Sequence, residues 1–81
     1  MWFVYILLCS DKSFYTGISN DPKKRFVEHN NGKGGRYTRS HKPVKILYTE
    51  ELPNKSVALK RELQIKSWSR KKKIQNLKLS I

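Results

Sequence analysis

The chain opens on an apolar run. Residues Met1 to Cys9 are apolar or aromatic throughout, and Ser10-Asp11-Lys12-Ser13 ends the run abruptly. Aromatic and branched residues over a length this short predict a buried strand from Trp2 to Cys9. The four polar residues after it form a turn, because short polar side chains bond their own backbone. Phe14 to Ile18 reads as a second strand, paired with the first in an antiparallel hairpin. The pattern then changes period. Asp21 can cap free N–H groups and Pro22 suits a first helical position, so a helix runs from Pro22 to about Asn30 and stops at Asn31-Gly32.

Gly32 to Pro43 interleaves Gly32, Gly34 and Gly35 with Lys33, Arg36, Arg39 and Lys42 and reads as a basic, flexible loop. Val44 to Glu51 alternates as a third strand, which Pro53-Asn54-Lys55 breaks. Ser56 is the expected cap of a helix from Val57 to about Lys66. Ser69 caps a last helix, with Ile74, Leu77 and Ile81 at helical spacing. The order β-β-α-β-α-α predicts an α+β fold, a small three-stranded antiparallel sheet flanked by helices. A chain of 81 residues has room for one core, so residues 1–81 are expected to form a single domain.

Charge alters this picture more than hydropathy does. Eighteen Lys and Arg against six Asp and Glu give a net charge of +12. A charge this large repels itself and implies a polyanionic partner. Nucleic acid is the first candidate and an anionic membrane surface the second. Lys33, Arg36 and Arg39 in the loop, and Arg70, Lys71, Lys72 and Lys73 in the last helix, are the candidate phosphate contacts. Cations in a first helical turn oppose the helix dipole, so the second cluster is expected to serve a partner. The apolar face of residues 69–81 is thin, which disfavours a membrane-surface role. The apolar opening is too short to span a bilayer and lacks the basic start of a signal peptide. With Cys9 the only cysteine, no intrachain disulfide is possible. Together these features lead to the expectation of a cytoplasmic protein.

Polar residues fall on apolar faces at several places. Ala58, Leu59, Glu62, Ile65 and Lys66 share one helical face, which puts Glu62 on or beside a buried stripe. A carboxylate there serves either in a salt bridge with one of the many lysines or as a ligand to Mg²⁺, which takes few carboxylates and leaves room for phosphate and water. Pro22, Arg25, Phe26 and His29 share a face of the first helix, with Arg25 and His29 expected at the sheet edge or in solvent. Tyr5 lies on the strand face opposite Val4 and Ile6, and Tyr15 shares a face with Gly17. A hairpin with its turn near residues 10–11 brings the two tyrosines together, as core residues or as part of a site. Gly17 allows a close approach or marks a bulge. Paired cysteines are absent and histidines number two, so zinc is not expected. No stretch has the strand, glycine loop and helix of a nucleotide-phosphate cradle.

Phe3-Val4-Tyr5-Ile6-Leu7, Phe14-Tyr15-Thr16-Gly17-Ile18, Glu28-His29-Asn30, Gly32-Lys33-Gly34 and Ala58-Leu59-Lys60-Arg61-Glu62 occur in the order of a known pattern. As a set they resemble the GIY-YIG nucleases, and within them the standalone single-domain bacterial branch designated UPF0213. The resemblance covers nearly the whole chain. It departs at Phe3-Val4, where the motif has Gly-Ile, and at Thr16, where it has Ile. The resemblance implies a GIY-YIG-like fold and phosphodiester hydrolysis in DNA, RNA not being excluded, with one divalent metal, Mg²⁺ or Mn²⁺. It implies Glu62 as metal ligand, Arg25 as stabiliser of charge on the phosphate, and Tyr5 or Tyr15 as the group that orients or deprotonates water. His29 would assist proton transfer or bind phosphate. A non-enzymatic DNA- or RNA-binding derivative of the same fold is the alternative, and charge alone supports it equally.

Overall fold

The computed structural model describes residues 1–33 and 40–80. Strand β1 covers Trp2–Cys9, β2 Phe14–Ser19 and β3 Pro43–Leu52. Helix α1 covers Pro22–Asn30, α2 Lys55–Lys66 and α3 Arg70–Leu77. The strands form one antiparallel sheet in the order β2-β1-β3. The fold is therefore the expected α+β arrangement, with β1 in the centre. That position explains why β1 is the most apolar segment: a central strand is covered on both faces and loses its alternation.

Local chemistry closes each element. Between β1 and β2, Asp11 Oδ1 accepts from the Ser13 amide at 3.0 Å and from its hydroxyl at 2.5 Å. Lys12 turns the chain with φ of 73°. Asp21 caps α1, accepting from the Lys24 amide at 3.2 Å. Gly32 follows the helix with φ of +77°, where a side chain would be strained. In α2 the cap is Asn54 rather than Ser56, and the helix begins two residues earlier than the sequence suggests. Asn54 leaves the end of β3 in an extended conformation, which aims its side-chain Oδ1 at the Val57 amide, 3.0 Å away. Helix α3 ends at Leu77 instead of running on toward residue 81. Lys78 takes the left-handed conformation and the Leu79 amide bonds back to the Ile74 carbonyl at 3.1 Å, which turns Leu79 into the core.

Val4, Ile6, Ile65 and Leu79 form the core cluster, with Phe14, Ile18, Trp68, Ile74 and Leu77 packed around it. Alternation along β1 sends Tyr5 the other way, where His29 of α1 meets it. The sheet thus carries α2 and α3 on one face and α1 on the other. On α2 the buried stripe is narrower than helical spacing implies. Ala58 and Ile65 are fully buried, but Leu59 is 42% exposed and Lys66 lies in solvent.

Long-range polar contacts lock the second layer in place. Arg61 of α2 grips Glu50 of β3 with Nε 3.0 Å from Oε2 and Nη2 3.1 Å from Oε1, and the Tyr48 hydroxyl donates to the same carboxylate at 2.5 Å. The Arg61 guanidinium also lies over the Trp68 ring, 5.4 Å from its centroid. At the other end Arg70 stacks on Phe14, 4.1 Å from the ring centroid, and donates to the Lys12 carbonyl. Among the described residues no helix is long and apolar enough to cross a membrane.

Candidate active site

The α1 face of the sheet brings four of the sequence-predicted residues together. Tyr5 and Tyr15 are diagonal neighbours: Tyr5 stands opposite Gly17 and Tyr15 opposite Leu7. Their ring centroids are 6.3 Å apart. His29 comes down from the last turn of α1 onto both, its ring edge-on to Tyr15 at 5.0 Å and 6.1 Å from the Tyr5 centroid. The Tyr5 hydroxyl and His29 Nε2 are 3.0 Å apart. This placement differs from the sheet-edge position expected for His29. The contact is with the central strand, and both residues are buried. Arg25, one helical turn earlier, is half-buried, with Nη1 3.4 Å from Glu28 Oε1. It also lies near enough for its charge and a hydrogen bond to act on Tyr5.

Gly17 has a packing reason that the sequence left open. A Cβ there would sit 2.6 Å from Tyr5 Oη, 2.8 Å from Tyr5 Cζ and 3.1 Å from Tyr15 Cε2. Only a residue without a side chain lets the Tyr5 phenol lie across the neighbouring strand toward His29.

This packing sets the protonation states. Burial pushes the Tyr5 phenol well above its ordinary 10, Tyr15 adds to the rise, and Arg25 draws it partly back. Burial, and then the Arg25 charge, push His29 below its ordinary 6.5. At neutral pH Tyr5 is therefore a phenol and His29 an uncharged imidazole. In the tautomer with its proton on Nδ1, His29 accepts the Tyr5 O–H at Nε2.

Glu62 stands on α2, its side chain 14% exposed and its Oε2 3.4 Å from Lys66 Nζ. It is near enough to Tyr5 for its negative charge to raise the phenol slightly. Among the described residues, no three His, Cys, Asp or Glu side chains cluster as metal ligands do. A lone, shielded carboxylate does not suit zinc. It suits a hard cation that completes its shell with water and phosphate oxygens.

The basic residues are dispersed. Lys33, Lys71 and Lys72 are exposed and Lys73 is half-buried. Arg70 is tied to the hairpin as described, and Arg36 and Arg39 lie outside the described residues. Arg25 and Lys24 line a cavity of about 380 Å³ with Trp2 and Lys55. Lys66 and Lys73 border a second groove, of about 250 Å³, with Phe14, Tyr15 and Thr16. Sequence periodicity missed this groove, because its wall joins residues from β2, α2 and α3. It also missed Arg61, whose only local signal is the Tyr48-x-Glu50 spacing on the strand it meets.

A β-β-α-β-α-α chain with paired tyrosines at the β1–β2 crossing defines a class that comparison identifies. The model of the GIY-YIG catalytic domain matches residues 1–75. The chain belongs to the GIY-YIG family, a nuclease family. Within it, the chain is similar to UPF0213 proteins. It is 49% identical over 72 residues to one from Staphylococcus saprophyticus, covering 89% of this chain and 88% of that protein. To one from Staphylococcus aureus it is 47% identical over 76 residues, covering 94% and 93%. The solution NMR structure of a UPF0213 protein from Bacillus halodurans has a TM-score of 0.61 at 40% identity, covering 96% of this chain and 84% of that one. An NMR structure from E. faecalis has a TM-score of 0.64, also at 40% identity, covering 94% and 81%.

Proposed function

We propose that this protein is a metal-dependent endonuclease that hydrolyses phosphodiester bonds in DNA with little sequence preference, as one domain over residues 1–81. The observation that carries the reading is the Tyr5–His29 hydrogen bond beside Tyr15 and Arg25, on a chain of net charge +12. Charge alone would serve a binder equally; the tyrosine–histidine pair beside Arg25 is what favours the enzyme.

The tyrosines divide the work by burial. Tyr5 is buried and strongly protonated, so it acts as a donor that holds the His29 ring, and it does not take a proton itself. Tyr15 is half-buried, packs on that ring, and is the group that meets the attacking water. His29, uncharged at neutral pH, accepts the Tyr5 hydroxyl at Nε2 and packs on the Tyr15 ring, and so holds that tyrosine in place for the water. Arg25 offers the planar fork that matches a phosphate and stabilises the charge that develops there. The fork leaves Glu28 to do so; that exposed pairing is weak. Glu62 is the residue that would hold Mg²⁺ or Mn²⁺, and the ion would neutralise oxygens of the phosphate. Lys33, Lys71 and Lys72, with Arg36 and Arg39, would contact the backbone, and such contacts carry no sequence information. Arg70 contributes by pinning α3 to the hairpin. A cytoplasmic role in DNA repair or processing fits these features.

The test is incubation of the purified protein with labelled duplex, branched and single-stranded DNA, with Mn²⁺, with Mg²⁺ and with chelator. Cleavage that requires the ion and falls at least ~10²-fold in Arg25→Ala, with binding within a few-fold, is the expected result. Tight binding with no cleavage of any substrate would leave the non-enzymatic binder.

A further inference from the structure

We propose that the cavity beside Arg25 is a nucleobase subsite, in which the Trp2 indole stacks a base of the strand being cut while Lys24, Arg25 and Lys55 meet its phosphate. The inference rests on the nuclease reading for its ligand. It adds the part of the substrate that the phosphate-directed residues do not touch.

The first observation is the cavity itself. It holds about 380 Å³, and Trp2, Ile18, Asn20, Lys24, Arg25 and Lys55 are among the residues that line it. That volume lies in the range of small-ligand pockets, about 300–1,000 Å³. The lining joins an indole and an aliphatic side chain to three cations, which matches a nucleotide: a flat, largely apolar base carrying an anion. Two carboxylates border the cavity, and both are engaged. Asp21 Oδ1 accepts from the Lys24 amide at 3.2 Å, and Glu28 pairs with Arg25 at 3.4 Å. Lys24 and Lys55 form no ion pair among the described residues. The Asn20 amide, with no hydrogen bond among the described residues, offers a donor and an acceptor to the edge of a base.

The second observation is Trp2. It is half-buried and, among the described residues, packs neither in the core cluster nor against it, whereas Trp68 does pack there. An indole held outside the core presents the flat apolar face and polar tip that binding surfaces use. The Lys55 ammonium stands 5.3 Å from its ring centroid. A cation–π contact at an exposed site is weak, so a base can take the ring and leave the ammonium for the phosphate. Stacking tolerates every base, because each has a π face, which agrees with little sequence preference. A base on the indole has left a duplex stack, so the subsite takes its nucleotide from an unpaired or flipped position. Arg25 belongs both to this lining and to the cluster around Tyr5. The nucleotide on Trp2 is therefore the one whose phosphate reaches that cluster.

The experiment uses the full chain labelled with ¹⁵N, in which the two tryptophans give two indole N–H signals. Deoxyadenosine monophosphate is titrated against deoxyribose 5-phosphate, and a short single-stranded oligodeoxynucleotide follows. The nucleotide and the oligonucleotide should move the Trp2 signal saturably and leave that of Trp68 in place. The sugar phosphate should bind about tenfold more weakly than the nucleotide, as for the loss of one stacked base. Trp2→Leu fills the strand position without a π face and should erase that preference, while Trp2→Phe should keep most of it. Lys24→Gln should weaken both ligands alike. An unmoved Trp2 signal, equal affinity for the two ligands, or a preference that survives Trp2→Leu overturns the subsite. A response to the nucleotide that the oligonucleotide does not reproduce overturns the nucleic-acid assignment. Because the signals do not depend on turnover, binding at Trp2 without cleavage of any substrate refutes the nuclease and keeps the subsite. Cleavage with an unmoved Trp2 signal does the reverse.

Discussion

Gly17→Ala tests the close approach on which the tyrosine–histidine pair depends. The added Cβ would stand 2.6 Å from Tyr5 Oη and 2.8 Å from Cζ, well inside contact distance. Neither side can retreat easily. Gly17 is paired across β1 with Tyr5 itself, and Tyr5 is held by His29 at 3.0 Å. Overpacking of this kind costs about 1–3 kcal/mol. Replacing glycine by alanine in an unobstructed strand would instead stabilise by about 0.5–1 kcal/mol. The middle of each range leaves a net loss of about 1 kcal/mol. For a domain of this size that lowers the melting temperature by about 4–8 °C. Thermal melts give the sign, and His29 ring resonances in NMR report whether the hydrogen bond survives. Pairing the change with Tyr5→Phe removes the nearest atom, so the double variant should lose less than the sum of the two single losses. A Gly17→Ala protein as stable as wild type or more so, with unmoved His29 resonances, would refute the reasoning.

Further outcomes follow from the same geometry. His29 has a folded pKa below its ordinary 6.5, so the unfolded chain binds the proton first. Stability should therefore fall as pH drops from that value through the lower folded one, and melts of His29→Gln across the same range should be flatter. Glu62→Gln should abolish ion-dependent cleavage. It should move the melting temperature little, since a helical pair such as Glu62–Lys66 is worth about 0.3–0.5 kcal/mol; a large loss of stability with full cleavage would instead mark the pair as structural. Changing exposed Lys71 and Lys72 together to Ala should lower the salt slope of DNA binding by up to ~2 units, and an unchanged slope would remove them from the interface. Glu50→Gln should lower stability measurably in denaturant titrations, because Arg61 and Tyr48 both depend on that carboxylate.

The sequence by itself determined the elements, their order and the meeting of the two tyrosines. These are local matters. A hairpin closed within four polar residues leaves little choice of register, and period-2 alternation then assigns Tyr5, Tyr15 and Gly17 to one face. Asp21-Pro22 and Ser69 mark helix starts for the same reason: a cap is satisfied within three residues. Where two local candidates competed, at Asn54 and Ser56, the outcome depended on how β3 delivered the chain. Helical spacing likewise put Glu62 beside a buried stripe but could not say how wide the stripe was, and Leu59 proved to be outside it. What only the tertiary structure decided involves residues far apart in sequence. His29 meets Tyr5 across 24 positions, Arg61 meets Glu50 across 11 and Arg70 reaches Lys12 across 58. The Thr16–Lys66–Lys73 groove needs three elements at once. Such contacts follow from which face of the sheet each helix covers, and that is settled by burial summed over whole elements rather than by any motif within them.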